Sequence, residues 1–445
     1  MTRTESTDLI VILADKCIHV CATQVNCMYT VGVHFCSEMT VWLSLLVPFA
    51  LVGILVVPSL CQDAYPVSNL TGTHDMYTDR VCRTDVQYPP EDPKAKVPSF
   101  VLNLDLSPEE RWRPLVKNKS AEVKALLNDL IDLLGAFFNE TKVTELLDDI
   151  MAPLAFTLPQ PYQDEILGIA ESTGIPLGQI VLYNIFYEVN PFCTSIVAEN
   201  SNGTLYHARN MDFGIFLGWD VKSKQWAVTE SLKPLLVNVD YQQGGKTVAK
   251  AVHFAGYIGV ITGVKPGVLT MTMNARHSPD SGFLGFLQWI MGRRSEQWTG
   301  FFMRDTLMEA TDYATTKTRV VNAKLMAPAY IILGGTKTGE GSIIVIDREK
   351  PAYVEELDPK NGKWFLVQTN YDPTDKPPFY DDRRTSALKC MTNTTQKAVG
   401  LGPIYNVLST KPNLNLLTTY SALMQVNMGY LETFLRECPQ PCYPW

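Results

Sequence analysis

Apolar positions recur at helical spacing in the first third of the chain and mostly at every second residue beyond it. From Ala121 to Phe138 (AEVKALLNDLIDLLGAFF) they fall three and four apart, which predicts an amphipathic helix. Leu146 to Met151, Tyr162 to Glu171 and Leu177 to Glu188 repeat that spacing. After Cys193 the texture becomes β-branched, with alternating runs bounded by turn residues: CTSIVAE, TLYHARNM, KTVAKAVHFAG, GVLTMTMNA, AYIILGG, GSIIVIDRE and KWFLVQTN. Two helical stretches, Phe283 to Met291 and Arg304 to Ala314, interrupt the strands. A helical first third and a strand-rich remainder predict an α+β layered protein. Gln62 to Pro98 is polar and proline-rich and reads as an extended strap. No internal repeat or low-complexity tract appears.

The first 61 residues stand outside this pattern. Val41 to Leu60 (VWLSLLVPFALVGILVVPSL) is an apolar run ending in the small-residue exit Ser59-Leu60-Cys61. Residues 39–61 read as a secretory signal peptide. A membrane anchor is the competing reading, because about 20 apolar residues span a bilayer. Pro48, Pro58 and the exit residues favour cleavage. Residues 1–38 have no assigned role, and their cysteines form no Cys-x-x-Cys pair.

Composition narrows the function. With 445 residues, 46% of them hydrophobic, the chain can bury a sizeable core. A formal charge of −8 argues against a nucleic-acid partner, which needs clustered Lys and Arg. No phosphate-binding glycine loop and no His-Glu-x-x-His zinc motif occurs, so no cofactor or metal is expected. Asn69, Asn118, Asn139, Asn202 and Asn393 each open a glycosylation triplet, consistent with a lumenal chain. Beyond Cys61 the cysteines are Cys82, Cys193, Cys390, Cys438 and Cys442. An oxidising compartment would pair four and leave one over. Cys438 and Cys442 could close a local loop, and Cys82 with Cys390 would tie the two ends of the chain. Cys193 is then the odd thiol.

Asn202-Gly203 between two β-type runs is a strong signal for a two-residue hairpin loop. Opposed residues would then sum to 405, setting Asp212 opposite Cys193 and turning Arg209 to the other face unless a bulge re-aims it. Only six histidines are present, with no papain-type motif around the cysteine, so a thiol–imidazole pair lacks support. His207 and His277 read as core or surface residues. A base becomes available if the bond before Cys193 is broken, because the freed α-amine has a reference pKa of about 7.7 to 8.0.

Long motifs carry a resemblance: NIFYE, CTSIVAE, HARNMDFGIFLGW, FAGYIGVITGVKPG, APAYIILGG, LVQTNYD and DDRRT. In order and spacing, from about Asn103 to Trp445, the chain resembles the acid ceramidases of the N-terminal-nucleophile superfamily, and the placement of Cys82, Cys390, Cys438 and Cys442 agrees. The resemblance implies a precursor cut between Phe192 and Cys193, giving a helical α subunit (62–192) and a catalytic β subunit (193–445) with a four-layer αββα fold. It implies hydrolysis of ceramide and related N-acyl lipids in the lysosome or after secretion. A membrane surface or a sphingolipid activator protein would be the partner. It makes Cys193 the nucleophile, Arg209 and Asp212 its partners, Asn370 an oxyanion donor and Arg383 a further cation. The family carries Asn-Glu-Arg where this chain has Asn274-Ala275-Arg276, so one carboxylate is missing and Asp280 is a candidate replacement. Two other readings stay open: an N-acylethanolamine acid amidase, and a lipid-binding homologue impaired by Ala275. Gly282 to Arg294, together with Phe213 to Trp219, reads either as core or as a lipid-facing surface.

Overall fold

Alternation of side chains along the strands after Cys193 builds two sheets that face each other, each backed by helices. The computed structural model describes residues 81–137, 140–185, 192–213, 218–220, 222–276, 282–348, 350–378 and 381–442. All of these lie in one compact unit, Ala64–Trp445. The strands in chain order are β1 (Ser99–Asn103), β2 (Phe192–Glu199), β3 (Leu205–Asp212), β4 (Trp219–Asp220), β5 (Gln225–Trp226), β6 (Leu236–Gln243), β7 (Lys246–Phe254) and β8 (Thr262–Lys265). They continue as β9 (Leu269–Ala275), β10 (Ala329–Gly334), β11 (Gly341–Asp347), β12 (Lys350–Glu356), β13 (Phe365–Gln368), β14 (Thr418–Gln425) and β15 (Tyr430–Leu435). The longer helices are α1 (Ser120–Phe137), α2 (Tyr162–Thr173), α3 (Leu177–Ile185), α4 (Gly282–Ile290), α5 (Thr299–Glu309), α6 (Tyr313–Val321), α7 (Arg383–Thr394) and α8 (Leu401–Leu408).

One of these sheets has the order β13-β2-β3-β14-β15, the other runs β1-β6-β7-β8-β9-β10-β11-β12, and β4 pairs with β5 in a separate two-stranded sheet. Val197, Leu205 and Leu366 of the smaller sheet pack on Tyr330, Ile332, Ile343 and Val345 of the larger one. The other face of β2 and β3 buries Ile196, Ala198 and Ala208 against Ala387 and Met391 of α7 and Ile404 and Leu408 of α8. On the far side, α5 packs on β7 and β8, and α6 on β10 and β11. The order of layers is therefore helix, sheet, sheet, helix, and the α+β αββα expectation is the architecture that forms.

The helical first third docks on this frame through buried polar contacts. Glu165 of α2 accepts from Arg304 of α5 at 2.5 and 2.7 Å, from Trp112 at 2.6 Å and from Arg111 at 3.1 Å. Burial pushes this carboxyl up, but Arg304 and the other donors outweigh it and hold it below its ordinary value. Asn184 of α3 donates to Gly256 O at 2.9 Å and accepts from Ile258 N at 2.9 Å. The proline-rich strap has no helix or strand over residues 81–92, bends at Tyr88 and Pro89, makes a short helical turn at Pro93–Ala95, and is pinned where Cys82 is bonded to Cys390 of α7. A second disulfide joins Cys438 to Cys442.

Several expectations shift. The single helix expected over Arg304 to Ala314 is two helices, because Asp312 caps a new one by accepting from Thr315 N at 2.8 Å. Strands β1, β4, β5, β6, β8, β12, β14 and β15 had no sequence expectation. The apolar Gly282–Arg294 stretch is divided: Trp289 is buried beside Trp298, whereas Leu284 and Met291 are exposed. No helix among the described residues is long and apolar enough to cross a membrane. The expected signal peptide, Asn69 and Asn139 lie outside the described residues.

Two histidines are buried in the layers and stay neutral. His207 lies between the Thr270 and Thr272 hydroxyls, each at 3.0 Å, and His253 between Tyr241 Oη at 2.7 Å and Tyr257 O at 3.1 Å. Burial lowers both to about 3. The unfolded chain takes up these protons near pH 6.5 and the folded one does not, so stability falls as pH drops from about 6.5 toward about 3. The expected cost at pH 5 is about 2 kcal/mol per histidine. His207→Gln should flatten the difference between urea unfolding at pH 7 and at pH 5 by about that amount; an unchanged slope would contradict the assignment.

Candidate active site

The β2–β3 hairpin sets the geometry around Cys193, and its loop is longer than Asn202-Gly203 alone suggests. Asn200 and Thr204 close it: Asn200 N donates to Thr204 O at 3.0 Å, and Gly203 N donates to Asn200 O at 3.0 Å. The Asn200 side chain also accepts from the backbone N–H groups of Asn202 and Thr204, both at 2.9 Å. Three residues therefore make the loop, with Gly203 at a φ of 81° where a side chain would be strained.

This one-residue change reverses the predicted faces. Cys193 pairs with Met211, Ser195 with Arg209, and Phe192 with Asp212. Arg209 thus shares the thiol's face between the sheets. Asp212, expected opposite Cys193, stands opposite its neighbour instead.

Arg209 Nη2 donates to the Cys193 sulfur, while Nη1 donates to Ile261 O and Thr262 Oγ1, both at 3.0 Å. The second sheet thereby holds the guanidinium against the thiol. Met211 Sδ lies 3.7 Å from the Cys193 sulfur. Cys193 N donates to Asn370 Oδ1 at 2.6 Å, and Asn370 Nδ2 donates to Ala275 O at 2.8 Å. Asn370, expected as an oxyanion donor, thus holds the Cys193 N–H with its oxygen and Ala275 with its amide nitrogen. Arg383 Nη2 donates to that same oxygen at 2.9 Å.

Arg383 starts α7, and acidic groups hold it on two sides. Asp381 accepts from Nε at 2.7 Å and from Nη2 at 2.8 Å, and Asp212 accepts from Nη1 at 2.8 Å. Thr418 donates to Asp212 at 2.6 Å. Burial raises the Asp212 carboxyl, and Arg383 opposes the rise. Asp212 is thus linked to Cys193 through Arg383 and Asn370 rather than by the hairpin. Cys193, Arg209, Asp212, Asn370 and Arg383 are all buried, and the structure gathers all five.

Burial pushes the Cys193 thiol up to about 11, although Arg209 and Arg383 favour the thiolate. Ala275 contributes its backbone alone, its carbonyl to Asn370 and its N–H toward the thiol. Arg276 turns away to Asp372, at 2.8 and 2.7 Å. Asp280 and His277 lie outside the described residues. Among the described residues no group of acidic, histidine and cysteine side chains could hold a metal ion.

Sequence reasoning missed Asp381, Thr418 and Met211. Asp381 lay within the DDRRT motif beside Arg383. Thr418 is 206 residues from Asp212, and nothing linear connects them.

A family profile described as linear amide C–N hydrolases, choloylglycine hydrolase family, matches residues 193–433, beginning at the candidate nucleophile. A second, described as the beta subunit of N-acylethanolamine-hydrolyzing acid amidase, matches residues 95–158. The chain is 46% identical over 399 residues to an acid ceramidase of Balaenoptera acutorostrata scammoni, covering 89% of this chain and 98% of that one. It is 46% identical over 366 residues to an acid ceramidase of Homo sapiens, covering 82% and 92%. Among solved structures, a Caenorhabditis elegans N-acylethanolamine-hydrolyzing acid amidase ortholog is 31% identical with a TM-score of 0.47, covering 55% of this chain and 100% of that one.

Proposed function

The chain belongs to the acid ceramidases, within the linear amide C–N hydrolases of the choloylglycine hydrolase family, and from that membership we propose that it cuts itself before Cys193 and then hydrolyses N-acylsphingosine to sphingosine and a fatty acid. The observation carrying this reading is the Arg209 guanidinium on the Cys193 sulfur, with Asn370 on the same residue's nitrogen.

In the uncut chain the sulfur adds to the Phe192 carbonyl carbon. The bond from that carbon to Cys193 N breaks, and the thiol proton ends on the nitrogen. Water then cleaves the thioester, leaving a Phe192 carboxylate and a free Cys193 α-amine. That amine has a reference pKa of about 7.7 to 8.0 and sits on the same residue as the sulfur. In the second reaction the amine takes the thiol proton as the sulfur attacks the amide carbonyl. It returns the proton to the departing sphingosine nitrogen, and water hydrolyses the acyl-enzyme.

The same reading divides the chain into an α subunit (62–192) and a β subunit (193–445) behind a removed leader. Its site of action is the lysosome, with secretion as a second destination. Glycans on the exposed Asn118, Asn202 and Asn393 fit that route. A membrane surface or an activator protein would present the lipid.

Edman sequencing after acid incubation should find a chain beginning at Cys193. Because Cys82 and Cys390 lie on opposite sides of the cut, the protein should run as one species without reductant and as two with it. A single reduced band would refute the cleavage. Assays at about pH 4.5 should show faster turnover of N-acylsphingosine than of N-acylethanolamine; the reverse order would assign the amidase to the second substrate.

A further inference from the structure

The last residues of β9 hold the chain leaving β13 at three consecutive points. Asn274 Nδ2 donates to Gln368 O at 2.9 Å and to Thr369 O at 3.2 Å. Ala275 O accepts from Asn370 Nδ2 at 2.8 Å, and Arg276 grips the Asp372 carboxylate through Nε at 2.8 Å and Nη2 at 2.7 Å. Asn370, whose Oδ1 accepts from Cys193 N at 2.6 Å, stands in the middle of that run. Behind Asn274 lies a chain of hydrogen bonds whose direction follows from counting protons. Asn274 turns its amide nitrogen to two carbonyls, so its oxygen faces Ser195, whose hydroxyl donates to it at 2.9 Å. A hydroxyl has one proton, so Ser195 must accept from Thr272 Oγ1, at 3.0 Å. Thr272 in turn accepts from His207 Nε2 at 3.0 Å, which makes the neutral imidazole the Nε2–H tautomer, with its bare Nδ1 facing Thr270 Oγ1 at 3.0 Å. Flipping the Asn274 amide would set its oxygen against both carbonyls. His207, Thr272, Ser195 and Asn274 are all buried.

We propose that Asn274 is a positioning residue for the nucleophile. Held in one orientation by the chain from His207 through Thr272 and Ser195, it fixes the backbone of residues 368 and 369 and so sets Asn370 on the Cys193 nitrogen. The inference rests on the self-cleaving amidase reading, in which that nitrogen is first the leaving group and then the base. In self-cleavage the nitrogen takes the thiol proton as its bond to the Phe192 carbonyl carbon breaks. In turnover the free amine takes the thiol proton again and hands it to the departing amine of the substrate. A nitrogen whose N–H is held on Asn370 can aim its lone pair in few directions, so a displaced Asn370 misdirects both proton transfers. Arg276 steadies the same segment from its other side, because its ion pair with Asp372 closes two residues beyond Asn370.

The test is a double-mutant cycle on self-cleavage, followed by the appearance of N-terminal Cys193, with ceramide kinetics on the cut fraction. Asn274→Leu keeps the volume and removes both donors. Its self-cleavage rate and its kcat should each fall by about 10- to 100-fold, with KM unchanged within about twofold. In an Asn370→Ser background the same change should slow self-cleavage less than about threefold, because the contact it serves is already gone. Arg276→Gln should repeat the pattern with a smaller loss. If Asn274→Leu fails to fold by circular dichroism, Ser195→Ala, which frees the Asn274 amide to turn, carries the same cycle with a severalfold loss. Losses that multiply in the Asn370→Ser background would overturn the positioning role, as would a rise in KM with kcat unchanged. Wild-type enzyme that is cut but hydrolyses no amide would overturn the amidase reading alone, since the self-cleavage cycle still reports on Asn274. Wild-type protein that is never cut would overturn both.

Discussion

Cys193→Ala should leave a single full-length chain under reducing conditions and lower amide hydrolysis by about 10⁴-fold or more. In the proposed mechanism one atom serves both reactions, so both should vanish together. Folding should survive, since the thiol is a small buried group between packed sheets and its loss removes little volume. Cys193→Ser is the sharper comparison. A hydroxyl at this position would keep the Arg209 and Asn370 contacts but supply a much poorer nucleophile, so slow self-cleavage without useful turnover is expected. Circular dichroism and the urea midpoint check the fold, and gel analysis with a ceramide assay checks the chemistry. Hydrolysis retained within tenfold by a folded Cys193→Ala protein would remove the thiol from the mechanism.

Cys193 stood out in the sequence as the candidate nucleophile because its evidence is local and arithmetical: an odd cysteine where the texture changes, followed by a hairpin signal. Its partners were less legible for a reason that one residue illustrates. Asn200 captures the turn with its side chain and adds a residue to the loop, which sets Arg209 on the face of Cys193 and Asp212 on the opposite, also buried, face. A two-residue and a three-residue loop differ by local hydrogen bonds that periodicity does not encode. Motif resemblance implied the same five residues without this geometry, and it did not reveal which atom meets which. The missed strand β14 makes a related point. All eight of its residues are buried, so TTYSALMQ shows neither the alternation of a half-exposed strand nor an apolar run. The helix expected over Arg304 to Ala314 failed at Asp312, where a cap residue outranked the continuing pattern. Contacts closed across long separations, such as Thr418 with Asp212, come from topology alone.

Arg383→Met should be the most damaging change away from Cys193. The guanidinium joins Asp212, Asp381 and Asn370 in one buried cluster, and methionine matches its stem but none of its donors. Breaking a buried ion pair by removing one partner typically costs about 3–5 kcal/mol, because the remaining charge is left uncompensated. Arg383→Lys should recover part of the stability through its charge. Self-cleavage should remain slow in it, because one ammonium cannot satisfy Asp212, Asp381 and Asn370 in the geometry of the planar fork. The pH dependence separates this electrostatic loss from a simple packing defect. Burial already raises Asp212, and losing Arg383 removes the charge that opposes the rise. A carboxyl raised in the folded state binds more protons there than in the unfolded chain, so stability recovers as pH falls. The deficit of Arg383→Met relative to wild type should therefore be larger at pH 7 than at pH 4.5 in urea unfolding. The buried histidines contribute equally to both proteins and cancel in that difference. A deficit that stays constant across this range would mean that Arg383 acts by filling space, and that Asp212 reaches Cys193 without it.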